Sequence, residues 1–129
     1  MYKSKYFKPT EYLPAGWIDA TVMDFRILQM ADEVRELVDL PMTINAHGRQ
    51  FCGYRPKDCN IGAPKSYHKR GMAVDLHCAG MKAEDVRELI KKSISIGGLK
   101  WIGGIEEDIS WIHIDCRDRV NGKVLYFTA

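Results

Sequence analysis

Two short stretches alternate apolar and polar residues with the period of a β-strand: Met72-Ala73-Val74-Asp75-Leu76-His77 and Trp111-Ile112-His113-Ile114-Asp115. Successive side chains of a strand point to opposite faces. Val74 and Leu76 therefore share one face of the first stretch, and Ile112 and Ile114 share one face of the second. The remaining faces carry Ala73, Asp75 and His77, and Trp111, His113 and Asp115. Burying both apolar faces leaves two polar faces to line one pocket. A buried His or Asp without a partner is costly, so these faces need hydrogen-bond partners or a metal.

The rest of the chain supplies elements to cover the apolar side. Ile27, Met30, Ala31, Val34, Leu37 and Val38 recur at threes and fours, which predicts an amphipathic helix within Thr21–Leu40, stopped before Pro41. Met42–Ala46 reads as a short strand. Residues 47–67 are rich in turn formers, and a loop that long inside a small domain is usually functional or disordered. Val86, Leu89, Ile90 and Ser93 predict a second helix over Lys82–Ile94, ended by Gly97-Gly98. Strands are expected at Trp101–Gly103, Trp111–Asp115 and Val124–Phe127. This order implies an α+β fold, an antiparallel sheet with flanking helices. With 129 residues and no linker or repeat, one domain over 1–129 is expected.

Charge and composition narrow the partners. Nineteen Lys and Arg against seventeen Asp and Glu give a net charge of +2, with no basic block, which argues against nucleic acid. No apolar run approaches the roughly 20 residues needed to span a bilayer, so membrane insertion is not expected. The first residues lack the apolar core of a secretory signal, and the product is expected to start in a cytosol. The four cysteines are then expected to be reduced, although Cys52 and Cys59 are close enough in sequence to bridge. The absence of any CxxC pair argues against a zinc knuckle. A monomer is expected.

Histidine is scarce, with four in all. His68 and Asp75 lie in the ten-residue segment Ser66–Asp75, and His113 sits mid-strand. Two imidazoles and a carboxylate are a recurrent ligand set for catalytic zinc, with the fourth position left to water. The same residues could equally be hydrogen-bonded members of an ordinary core.

The spacing itself is more specific. Ser66-x-His68-x-x-Gly71-x-Ala73-x-Asp75, followed by Trp111-x-His113-x-Asp115, resembles the zinc D-Ala-D-Ala carboxypeptidase and Hedgehog-like metallopeptidases, a group that includes vancomycin-resistance dipeptidases and several phage endolysins. The likeness is to their small single-domain bacterial and phage branch. It extends upstream through Ile44-Asn45, Gly53-Tyr54-Arg55 and Asn60, covering roughly residues 5–117. The resemblance implies a Hedgehog/DD-peptidase-like fold and a Zn2+ ion held by His68, Asp75 and His113. It also implies an oxyanion-stabilising Arg55, and a Ser66 that steadies the substrate or the ligand loop. The implied substrate is a peptidoglycan stem peptide, reached by phage delivery or release to the wall.

One position departs from the pattern. Dipeptidase-like members carry a general-base glutamate three residues before the last histidine ligand, and here that residue is Ser110. Asp115, on the face of His113, and Glu107, at a spacing where Hedgehog-like members carry a glutamate, are the candidate replacements. Asp115 could instead hold an imidazole N–H. The departure also keeps open a non-catalytic zinc-binding module, such as a phage tail component.

Overall fold

The computed structural model describes residues 2–129. Its centre is a five-stranded sheet: β1 (Met42–Thr43), β2 (Ala73–Cys78), β3 (Gly104–Glu106), β4 (Ile112–Asp115) and β5 (Leu125–Phe127), in the order β1-β2-β4-β3-β5. Three helices complete it: α1 (Pro9–Tyr12), α2 (Phe25–Val38) and α3 (Ala83–Ser95). The α+β expectation holds. The sheet, however, is mixed rather than antiparallel throughout, because β5 runs parallel to β3. β4 ends opposite Gly104, where β5 also begins, so β5 runs along the free edge of β3 in the direction of β3 itself.

Both amphipathic stretches are helical for the reason the pattern gives. Ile27, Met30, Ala31 and Val34 of α2, and Val86 and Ile90 of α3, have no exposed surface. They meet Val74, Leu76, Ile105, Ile112 and Ile114 on one face of the sheet in a single core. Asp24 caps α2 by accepting from Arg26 N, and Asp39 ends it in the left-handed conformation. The segment before Asp24 is a separate 3₁₀ turn, Ala20–Val22, so α2 starts four residues after Thr21.

The expected strand at Met42–Ala46 is only two residues long. Beyond Thr43 the chain leaves β2, and Asn45 ties the loop together instead: its amide donates to Glu11 O, and its side chain donates to Leu13 O and accepts from Cys52 N. Trp101 closes a turn, Ile102 and Gly103 are irregular, and the strand begins one residue later at Gly104. The N-terminal segment packs against α2. Asp32, buried on α2, accepts from Tyr2 Oη, Ser4 Oγ and the amides of Lys5 and Tyr6. All four cysteines are free thiols. No helix among the described residues is long and apolar enough to cross a membrane.

Candidate metal centre

The sheet face opposite the core carries the polar residues, in register. Asp75 of β2 lies directly across from His113 of β4, and Ala73 lies across from Asp115. His68 reaches the same spot from the 3₁₀ turn Tyr67–Arg70. Two features of the motif build that turn. Ser66 caps it, its Oγ accepting from His68 N at 3.2 Å. Gly71 ends it at φ +66, where a Cβ would lie 1.8 Å from Val22 O. That close approach lets Gly71 O accept from Asp24 N, which locks the turn onto the start of α2.

One ligand atom from each of His68, Asp75 and His113 falls within 4.8 Å of the others, and all three side chains are buried. Their hydrogen bonds say which atoms face inward. His68 Nδ1 lies 2.8 Å from the Gly53 carbonyl, which can only accept, so Nδ1 carries the proton and the Nε2 lone pair faces Asp75 Oδ1 at 3.2 Å. His113 Nε2 lies 3.2 Å from Asp115 Oδ2, and its Nδ1 lies 2.9 Å from the same Asp75 Oδ1. Three acceptors therefore converge on one point, an arrangement that requires a proton or a cation among them. The donor set, two neutral imidazole nitrogens and a carboxylate oxygen, fits zinc.

The electrostatics agree. Burial alone would raise the pKa of Asp75, but the hydrogen bond from His113 and the closeness of the His68 ring outweigh it and hold the carboxyl well below its ordinary range. Burial pulls His113 down, yet its bonds to Asp115 and Asp75 prevail and hold it up at about 9 when no metal competes.

Asp115 is backed in turn by Arg117. The guanidinium grips both carboxylate oxygens, Nε to Oδ1 at 2.7 Å and Nη2 to Oδ2 at 2.6 Å. It is itself sandwiched between the rings of Tyr67 and Phe127, 4.4 and 4.8 Å from their centres. Asp115 thus acts on His113 as a second layer, fixing its tautomer.

A cavity of about 490 Å³ opens over the three ligands, lined also by Arg55, Ser66, Trp111 and Arg117. Arg55 is aimed by the Phe51 carbonyl, which accepts from its Nε at 2.8 Å, while Nη2 sits 3.5 Å from Asp75 Oδ2. Phe51 holds a left-handed backbone, φ 64, a rare conformation for a bulky residue and one found where geometry is functional.

Glu107 is the sequence candidate that the structure turns away. It lies on the other side of β3 and pairs with Lys91 Nζ at 2.8 Å and Arg87 Nε at 3.8 Å, both on α3. The reason is local. Arg87 is buried, donating to Trp111 O and Ile109 O, and a buried guanidinium needs a carboxylate beside it. Its neighbour Glu106 lines the cavity instead. Sequence reasoning missed Glu106, Arg117 and the Gly53 carbonyl. Parity would have found Arg117, since it continues the run 111, 113, 115. The same parity, applied around an inward Ile105, would have found Glu106.

A polar centre of two histidines and an aspartate on one sheet face, a carboxylate–arginine pair behind it and a cavity above it define a metallohydrolase type of site. The profile of the family described as Peptidase M15 matches residues 7–115, and the chain belongs to that family, whose members are zinc-dependent peptidases. Neither a curated protein nor a solved structure gives a significant match.

Proposed function

We propose that the protein hydrolyses peptide bonds of peptidoglycan stem peptides, bonds that contain D-amino acids, as a monomer that reaches the wall by release or phage delivery and binds neither nucleic acid nor membrane. The observation that carries this reading is the convergence of His68, Asp75 and His113 beneath a cavity whose wall includes Arg55. Zinc held by these three residues supplies Lewis-acid polarisation of a carbonyl and acidification of water. The chain's own residues do the rest. Gly53 and Asp115 keep the two imidazoles in the tautomers that present lone pairs inward. Arg55, fixed at Nε by Phe51 O, holds a guanidinium at the cavity wall, where it stabilises negative charge developing on the carbonyl oxygen. The Trp111 ring, stacked on His77 with centroids 6.4 Å apart, and the Phe127 ring offer apolar walls for the alkyl parts of a peptide.

Incubation of purified peptidoglycan with the protein, with and without chelator, followed by mass spectrometry of the soluble fragments, tests the reading. Chelator-sensitive release of peptides or single amino acids is the expected result, and the fragment masses assign endopeptidase or carboxypeptidase action. Intact peptidoglycan in the presence of stoichiometric zinc would overturn it in favour of a zinc-binding module.

A further inference from the structure

Peptide hydrolysis needs a group to take a proton from water, and neither acidic residue picked out by sequence is placed for it. Asp115 has no exposed surface, and both its oxygens are held by Arg117, one of them also by His113. Glu107 is committed to Arg87 and Lys91 on the helical side of the sheet. We propose that Glu106 is the general base, a role that rests on the peptidase reading above.

The argument is one of register and elimination. Gly104 pairs with Asp115 and Ile105 with Ile114, so one step further along the same ladder brings Glu106 level with His113. His113 in turn faces Asp75 on its other side. Asp75, His113 and Glu106 therefore form one row across β2, β4 and β3, on the face away from the core, where Ile105 points the opposite way and is fully buried. The row ends at Phe127 of β5, paired with Glu106. Among the described residues, the acidic side chains that line the cavity are Asp75 and Glu106, and Asp75 is occupied by both imidazoles. No hydrogen bond or ion pair engages the Glu106 carboxylate among the described residues, so it is at liberty to exchange a proton.

In the step this implies, the water oxygen bonds to the carbonyl carbon, the water proton passes to Glu106, and the carbonyl π pair moves onto its oxygen beside Arg55. As the C–N bond breaks, its electron pair leaves on nitrogen together with the proton returned by Glu106. The oxygen re-forms the C=O bond. One peptide and one water become one carboxylic acid and one amine, and Glu106 is regenerated.

The test compares wild type, Glu106→Gln and Glu107→Gln as zinc-loaded proteins on a stem peptide that the wild type cleaves. Glu106→Gln is expected to keep full zinc by elemental analysis, to keep its thermal midpoint, and to bind the uncleaved peptide with wild-type affinity by calorimetry. Its kcat is expected to fall about 10²–10⁴-fold with KM little changed, the usual worth of a general base. Glu107→Gln is expected to turn over near the wild-type rate. A wild-type kcat in Glu106→Gln, or loss of its zinc, would overturn the assignment while leaving the peptidase reading intact. Should the amide fail to fold, Glu106→Asp, which keeps the charge on a shorter arm, is read in the same way: a wild-type kcat overturns the proposal. A wild type inert on every wall substrate would overturn the peptidase reading itself.

Discussion

His113 spends its two ring nitrogens on two different carboxylates, and that division sets how the centre responds to pH. Without metal, burial pulls its pKa down, but the hydrogen bonds to Asp115 and to Asp75 outweigh burial and hold the folded-state value at about 9, above the ordinary 6.5. A group raised on folding stabilises the protein fully below its unfolded pKa and loses that contribution as pH climbs through the folded one. The chelated protein is therefore expected to lose thermal stability between pH 6.5 and about 9, as read by scanning calorimetry. Zinc must displace the Nδ1 proton to bind. Uptake near pH 7 is thus expected to release about one proton per ion, measurable by titration calorimetry in buffers of different ionisation enthalpy. In the loaded protein that nitrogen no longer titrates, and the loss of stability above pH 6.5 should vanish. Buffer-independent heats of zinc binding would show that His113 enters the site already neutral, and would contradict its double hydrogen bond.

At the scale of elements, the strands were legible wherever alternation was long enough to read. β2 and β4 carry four or more alternating residues each, and both their faces and their mutual pairing follow from Val74, Leu76, Ile112 and Ile114. α2 and α3 were legible for the same reason at helical period. β3 was not, because its three residues open on a glycine, follow another, and contain a single apolar marker, Ile105. Glu107 came from the resemblance, by its spacing from His113, and on so short a strand one residue of shift moves a side chain to the opposite face, so that Glu106 and not Glu107 lines the cavity. The spacing of His68 and Asp75 was readable because a tight turn fixes it, and His113 joined them through the resemblance and the alternation of β4, whereas the parallel β5 depends on where a loop returns, which no local pattern records. The same short strand carries a sharp test. A Cβ at Gly104 would lie 2.5 Å from Asp115 Oδ1 and 2.5 Å from Arg117 Nε, with no positive φ to add backbone strain. Gly104→Ala must therefore push on the Asp115–Arg117 pair, and through it on His113. Losing such an outer partner weakens metal binding by about 10–100-fold. Competition with a chromophoric chelator is expected to show that loss, with far-UV circular dichroism unchanged. Wild-type zinc affinity in Gly104→Ala would mean the pair shifts without disturbing His113.

For the molecule as a whole, the sheet separates two jobs. Its inner face, with α2 and α3, makes a core in which Ile27, Met30, Val34, Val74, Leu76, Val86, Ile90, Ile105 and Ile114 have no exposed surface. Its outer face holds the candidate metal ligands His68, Asp75 and His113 and the cavity. A chain of this size buries roughly two-thirds of its unfolded surface, enough to fold without a metal. Zinc then adds stability only through mass action, about 4 kcal/mol when free zinc exceeds its dissociation constant a thousandfold. At a few degrees per kcal/mol, chelation is expected to lower the thermal midpoint by about 10–20 °C. The cost of removing the ion is softened because the three converging acceptors can share a proton instead, the state in which His113 is held up at about 9. Far-UV circular dichroism at pH 7 is accordingly expected to survive chelator, and zinc added back should restore the midpoint in full. Collapse of the helical signal on chelation would mean that the ligand cluster, and not the layer of isoleucines beneath it, holds β2 against β4, as in domains that are unfolded without their metal.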